Sequence, residues 1–439
     1  MNLEAMKQKQ LQHILMFSVP AIIGMLLSAV VTVTDGYFVG NYVGRDGLAA
    51  VNLGLPIVYL LIACGLMVGV GGSAIAGIMN GNGQKQESRR VFSQTMVTAL
   101  VASAAISAIL FILFGLISKL LGASGTVEVF FRQYYTIMIW YYPVMVVNNV
   151  FGMFMRAEGK PGVQMVITII SVMINVALDA VSVWMKSGIQ GIAIASMISG
   201  IITLVLNISF FLKKAETFRF CTFSFDGRLL KDTLFNGSSE FIGEMASCVS
   251  MFCYNRMILT ITGAEGVAAF TVAGYTIFVF SMIVIGFGQG MSALVSFTFG
   301  AEEFKLATAF RRKTNQIVLL AGAVFSLILV LGAKGYGALF VKDVAVQSMI
   351  VDGIRLFVVS FLLMGYNILA SMYFTACGKA APSAIISMAR GLVILLICIF
   401  VLPIFFGMNG IWLSAPVTEV ISAVISFGFL KKESVHSIA

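Results

Sequence analysis

Two carboxylates lie inside stretches that otherwise hold apolar and small residues: Asp35 in the run 14–40 and Asp179 in the run 161–184. A carboxylate in a bilayer costs about 2.5–3.5 kcal/mol even on insertion scales, so each one needs a reason. Each stands about five residues before the outer end of its run, and both runs head outward, which sets the two acids at one depth. Asn175 comes four residues before Asp179, one turn below it on the same helical face. Ser196, in the run 188–212, and Tyr134, in the run 128–155, reach similar depths from the opposite direction. Two carboxylates, an amide and a hydroxyl make a small oxygen-rich cluster. Acids forced together favour holding a proton, which suits proton capture, and the same oxygens suit Na⁺. The competing reading is that each acid is satisfied separately at the outer interface.

Glu240 and Glu244 form a second acidic pair, four residues apart and so on one face, near the cytoplasmic start of the run 236–261. They would serve as a second protonation site or draw cationic compounds inward. Against this stands a solvated helix N-terminus, where the dipole favours acids. Arg390, in the middle of the run 381–403, must find a carboxylate or carbonyl partner and is the deep charge available to a cleft. Asp352 and Arg355, three apart near the outer start of the run 347–376, read as a helix-end ion pair. Arg132 reads as a snorkelling residue.

Other chemistries lack their residues. The cysteines (Cys64, Cys221, Cys248, Cys253, Cys377 and Cys398) show no CxxC spacing, which speaks against disulfide or metal roles. Both histidines, His13 and His436, lie near the termini. The glycine clusters at 65–77 and 286–300 neither follow a strand nor lead into Gly-Lys-Ser/Thr, so they are not phosphate loops. They read instead as places where helices approach closely. No cofactor is implied, no metal site beyond Na⁺ at Asp35, Asn175 and Asp179, and no nucleophile set for an enzyme.

The elements that must position these groups follow from composition. The chain is 59% hydrophobic and 11% charged, against about 25% charged in ordinary soluble domains. Apolar runs long enough to cross a bilayer recur from end to end, without two-residue alternation, so the spanning elements are helices. The spacing predicts twelve: 14–40, 50–80, 91–117, 128–155, 161–184, 188–212, 236–261, 266–299, 309–333, 347–376, 381–403 and 408–430. Lys7 and Lys9 precede a stretch too long for a secretory leader and without a small-residue cleavage site, so it is read as the first span. Leaving aside Arg132, Arg355 and Arg390, which lie within spans, nineteen Lys and Arg fall on the even side. Six fall on the other: Arg45, Lys119, Lys186, Arg256, Lys334 and Lys342. That bias puts both termini in the cytoplasm of a multi-pass protein of the cytoplasmic membrane. The net charge of +9 is therefore topology, and nucleic acid is not an expected partner.

The chain is also one unit written twice. At an offset of 219 residues Gly47 meets Gly266, Gly71 meets Gly290, Asn148 meets Asn367, Gly159-Lys160 meets Gly378-Lys379, and Gly188 meets Gly407. A repeat this long has the size of half a transporter. The expected layout is an N-lobe over 1–212, a basic cytoplasmic linker over 213–235 and a C-lobe over 236–439. The lobes would share one orientation and enclose a central cleft. The offset fails at the acids. Asp35 meets Tyr254, Asn175 meets Ile394, Asp179 meets Cys398 and Ser196 meets Ala415, while Glu240 and Glu244 meet Ala21 and Met25.

Several stretches resemble the multidrug and toxic compound extrusion (MATE) family, and within it the prokaryotic DinF-like branch. They are Phe17 to Gly24, Asp35 to Gly40, Gly47 to Val51 with Pro56 nearby, Arg156 to Pro161, Asn175 to Asp179, and Gly188 to Ala193. The resemblance covers essentially the whole chain. It implies an all-α membrane protein of twelve helices in two pseudo-symmetric six-helix bundles. It also implies an antiporter that exports organic, often cationic amphiphiles in exchange for H⁺ or Na⁺ by alternating access, as a monomer working on small molecules within a lipid bilayer. Asp35, Asn175 and Asp179 match the family's N-lobe cation site. Ser196 stands where many members have Thr, and Tyr134 is carried over with them. Other branches place an acid deeper in the seventh span, at a position near Ser247 here, with Glu244 one turn away. The alternative within the same superfamily is a flippase for lipid-linked precursors.

Overall fold

The computed structural model describes residues 2–436, with side chains through 433. Helices occupy almost all of it, and no strand occurs among the described residues. After a short amphipathic helix, Leu3–Gln8, the spans run Gln10–Val43, Arg45–Gly81, Lys85–Ile112, Gly125–Ala157, Pro161–Trp184 and Gly188–Lys213. They continue as Gly227–Ile261, Gly263–Gly300, Phe304–Phe340, Val344–Ala376, Ala380–Phe406 and finally Met408–Glu433. Among the described residues eleven of these are long and apolar enough to cross a membrane. The seventh, 35 residues long, falls short only in composition, because Arg228, Lys231, Asp232, Glu240, Glu244 and Arg256 all lie on it.

Side-chain placement is that of a protein whose solvent is lipid. Ile112, Leu331, Ile404 and Phe252 are among the most exposed side chains, whereas Asn207, Asn367, Thr298 and Ser383 are fully buried. Polar groups go inside because only there do they find hydrogen-bond partners.

Contacts divide the described residues into two units. The first holds residues 23–237, and the second holds residues 2–22 together with those from 238 onward. The first span thus begins in the second unit, and the seventh begins in the first. Glycine makes both arrangements possible. Within the first unit a Cβ on Gly237 would strike the backbone carbonyl of Met67, and one on Gly71 that of Thr233. Within the second, Gly286 and Gly290 lie against the backbone of Ile22 and Ser18. The glycine clusters of the second and eighth spans are close-approach surfaces.

Each unit carries the same internal clamp. In the first, Asn148 Nδ2 donates to Gly200 O at 2.9 Å and its Oδ1 accepts from Asn207 at 3.0 Å. In the second, Asn367 Nδ2 donates to Glu419 O at 3.0 Å and its Oδ1 accepts from Ser426 at 2.9 Å. All three positions match at the 219-residue offset, so the clamp tying the fourth span to the sixth recurs between the tenth and twelfth.

The segment after the sixth span is fastened to the first unit. Glu158, buried in the Arg156 to Pro161 motif, accepts the backbone N–H groups of Glu216, Thr217 and Phe218 at 2.8–2.9 Å. Arg89 donates to Thr217 O at 3.0 Å, and Gln94 bonds Asp226 N–H and C=O. Asp226 then caps the seventh span by accepting from Arg228 N at 2.8 Å, so that helix starts at Gly227 rather than near 236. Arg132 pairs with Glu128 one turn away at 2.9 Å. The expected Asp352–Arg355 ion pair does not form among the described residues; both residues are exposed.

Candidate functional site

The fifth span puts Asn175 and Asp179 on one face, and both are buried, at 2% and 0% exposure. Asn175 Nδ2 donates to Ser196 Oγ at 3.3 Å, and Ser196 Oγ donates to Asp35 Oδ2 at 3.3 Å. The first, fifth and sixth spans are thereby joined through side chains that sit 161 and 21 residues apart in sequence. The carboxyls of Asp35 and Asp179 lie within hydrogen-bonding reach of each other. Two ionised carboxylates cannot use that proximity, since both only accept; one proton between them makes the bond. Asp35 Oδ1, Asn175 Oδ1 and both oxygens of Asp179 have no donor within the described residues. Four buried, unpartnered oxygens in one cluster are a ready receptor for a proton or a small hard cation.

Tyr134 is buried beside the acids, with its ring edge-on to Tyr135 at 5.2 Å, but it donates to neither carboxylate. Tyr141, which the sequence did not single out, lies close to Asp35 as well and covers Gly200 with its ring. Its signal was the seven-residue spacing from Tyr134, two helical turns along one face.

The first span is loosely held around Asp35. Its buried residues are Ile14, Phe17, Ser18 and Ala21, and then none until Val39 in the π-helical turn Val39–Val43. Pro20 removes a backbone donor within the helix, and no atom lies within 4 Å of where a Cβ on Gly24 or Gly36 would stand. The matched position in the second unit is apolar, with Tyr254 packed against Ile258, Ile399 and Ile411. Among the described residues the oxygen cluster therefore has no counterpart at the matched positions of the second unit.

Glu240 and Glu244 are half-buried on the seventh span, with no hydrogen bond or ion pair among the described residues. The solvated N-terminus reading fails for them. The helix starts at Gly227, thirteen residues before Glu240 (240 − 227), and the dipole's influence ends within the first turn. Arg390 finds its carboxylate in Glu419, Nε to Oε1 at 2.7 Å. Glu419 was missed in the sequence although it is the one acid within the run 408–430. A mid-span arginine in the neighbouring helix was the signal that could have found it.

A family model described as MatE matches twice, over residues 20–181 and again over 241–401. The chain belongs to the MatE family. The two matches fall on the two copies of the repeat, one holding Asp35, Asn175 and Asp179 and the other holding Glu244 and Arg390. This MatE chain is 25% identical over 413 residues to the multidrug export protein MepA of Staphylococcus haemolyticus, covering 93% of this chain and 91% of that one. It is 23% identical over 415 residues to the protein of the same name from Staphylococcus aureus, covering 93% and 90%. Its fold matches a structure described as the outward-facing conformation of a multidrug resistance MATE family transporter of the MOP superfamily. The TM-score is 0.91 at 21% identity, covering 97% of this chain and 96% of that one. The MatE fold is thus the all-α, two-bundle membrane architecture expected from the repeat.

Proposed function

We propose that this chain is a secondary antiporter that exports organic, amphiphilic and often cationic compounds in exchange for H⁺ or Na⁺ by alternating access. The observation that carries the reading is the cluster of unpartnered oxygens on Asp35, Asn175 and Asp179. The printed names of the MepA relatives support multidrug export as the direction of transport. The protein works as a monomer in the cytoplasmic membrane, with both termini in the cytoplasm and no cofactor. Its lobes are taken as the two copies of the repeat, 1–212 and 236–439 joined by 213–235, with residues 2–22 and the start of the seventh span each packing in the other copy's unit.

A cation arriving from outside enters the cluster and cancels one charge of the Asp35–Asp179 pair. As a proton it creates the hydrogen bond that two ionised acids cannot make; as Na⁺ it takes up the free oxygens. Either event changes how Asp35 is held to the fifth and sixth spans. The first span, with no fully buried residue from 22 to 38, is the element free to respond. Its altered packing favours release of the exported compound outside, and ion release inside resets it. Glu240 and Glu244 give cationic compounds a complementary charge on the seventh span. The flippase reading is set aside, because among the described residues Arg390 is the one cation at mid-span and a pyrophosphate needs several.

Dye efflux from vesicles under an imposed pH or Na⁺ gradient tests function and coupling ion together. Asp35→Asn and Asp179→Asn are each expected to abolish gradient-driven efflux while the protein folds normally. Normal export by both variants would falsify the site assignment.

A further inference from the structure

Arg390 is tied on one side only. Its Nε donates to Glu419 Oε1, and the other oxygen of that carboxylate accepts from Asn367 Nδ2 at 2.7 Å. Glu419, 5% exposed, is thus satisfied at both oxygens. The guanidinium is not. Of its five N–H donors one is used, and Nη1 and Nη2 have no partner among the described residues although the side chain is only 28% exposed.

Neither water at the interface nor lipid accounts for the free edge. Arg390 is ten residues from Ala380 and sixteen from Phe406, roughly 15 and 24 Å from the helix ends at 1.5 Å per residue, too deep to snorkel. The exposed apolar stripe of this span runs through Ile385, Met388, Val393, Ile397 and Phe400, and Arg390 lies off it. Met388 to Val393 is a step of five, and it coincides with the π-helical turn Ala389–Val393. The extra residue lets the lipid-facing stripe continue while the arginine is turned inward, as single π-turns do at functional positions. On the seventh span Ser250 Oγ donates to Gly391 O at 3.1 Å and Ala246 packs against Gly391, which fixes that turn.

Around the pair the two copies of the repeat differ at several positions that meet in space. At the 219-residue offset Arg390 replaces Ser171, Glu419 replaces Gly200, Ser360 replaces Tyr141 and Ser422 replaces Thr203. In the first unit the Tyr141 ring fills the space over Gly200, and Thr203 Oγ1 donates to Ser171 Oγ at 2.7 Å. In the second unit Ser360 stands where the ring was, the carboxylate and guanidinium pair with each other, and Ser422 Oγ is left without a partner. Stability alone does not explain this, because a buried ion pair is commonly no more stable than the packed side chains it replaces.

We propose that the Nη edge of Arg390 binds a carboxylate on the exported compound, so that the chain accepts zwitterionic amphiphiles as well as cations. Glu419 and Asn367 are positioning residues: they hold the guanidinium by its Nε side and leave the fork that matches a carboxylate in two parallel bonds. This inference rests on the export reading above.

The test uses reconstituted full-length protein and two dyes, rhodamine B and its ethyl ester, which differ only in whether the carboxylate is free. Wild-type protein is expected to export both. In Arg390→Gln with Glu419→Gln, which leaves no unpaired buried charge, the efflux ratio of acid to ester is expected to fall about tenfold or more, the scale of one charge-assisted contact. Arg390→Lys keeps the charge without the planar fork and is expected to lower the same ratio, which serves if the double variant does not fold. An unchanged ratio in both variants overturns the inference, as does a wild type that exports the ester alone. A wild type that exports neither dye overturns the export reading and this inference with it.

Discussion

Ser196 is the residue on which the oxygen cluster turns, because it receives from Asn175 and gives to Asp35. Removing its hydroxyl strands the Asn175 amide and frees a second Asp35 oxygen, at about 1–3 kcal/mol for a buried polar group left unpaired. Ser196→Ala is therefore expected to slow gradient-driven efflux several-fold, with Ser196→Thr close to wild type; initial rates in vesicles check this. Equal rates for Ala and Thr would show that the hydroxyl contributes nothing. Asp35, Asn175 and Asp179 were readable as a group from depth and spacing, since a charge in an apolar run is conspicuous and four residues make one helical turn. Tyr134 was readable as a neighbour, but its missing hydrogen bond was not, because a ring's tilt depends on what packs around it.

At the scale of elements the strap after the sixth span carries the clearest consequence. A single carboxylate, Glu158, holds three consecutive N–H groups of residues 216–218, and nothing else in that segment is so well bonded. Glu158→Ala leaves three donors without their acceptor and is expected to loosen residues 213–226. Limited trypsin digestion then cleaves near Lys213, Lys214 or Arg219 at least several times faster than in the wild type. Equal cleavage would place the hold on Arg89 and Gln94 instead. In sequence the segment looked like a plain basic linker, because a buried acid in a loop motif gives no sign of which backbone it will face. The start of the seventh span at Gly227 had a legible signal, Asp226 before Arg228 and Leu229, that the polar residues behind it obscured.

In the whole molecule the two asparagine clamps offer a direct test of the repeat. Asn148→Ala and Asn367→Ala each remove a side chain that bonds two partners, an expected loss of about 1–3 kcal/mol apiece. Asn367→Ala should cost more, since it also strips one donor from Glu419. The clamps lie in different units, so the double variant should show the sum in detergent melting; a marked departure would mean the units do not melt independently. What the sequence determined by itself was whatever depends on composition and period. That includes the lipid solvent, the helices, the duplicated unit, and the positions at which the copies differ. Hydropathy and a fixed offset survive in one dimension. Only the tertiary structure decided which groups meet: Ser196 between Asn175 and Asp35, Glu158 on the strap, and Glu419 on one edge of Arg390 with the other left open. Those pairings join residues 21 to 161 positions apart, and a hydrogen bond is made at about 3 Å or not at all, a precision no spacing rule carries.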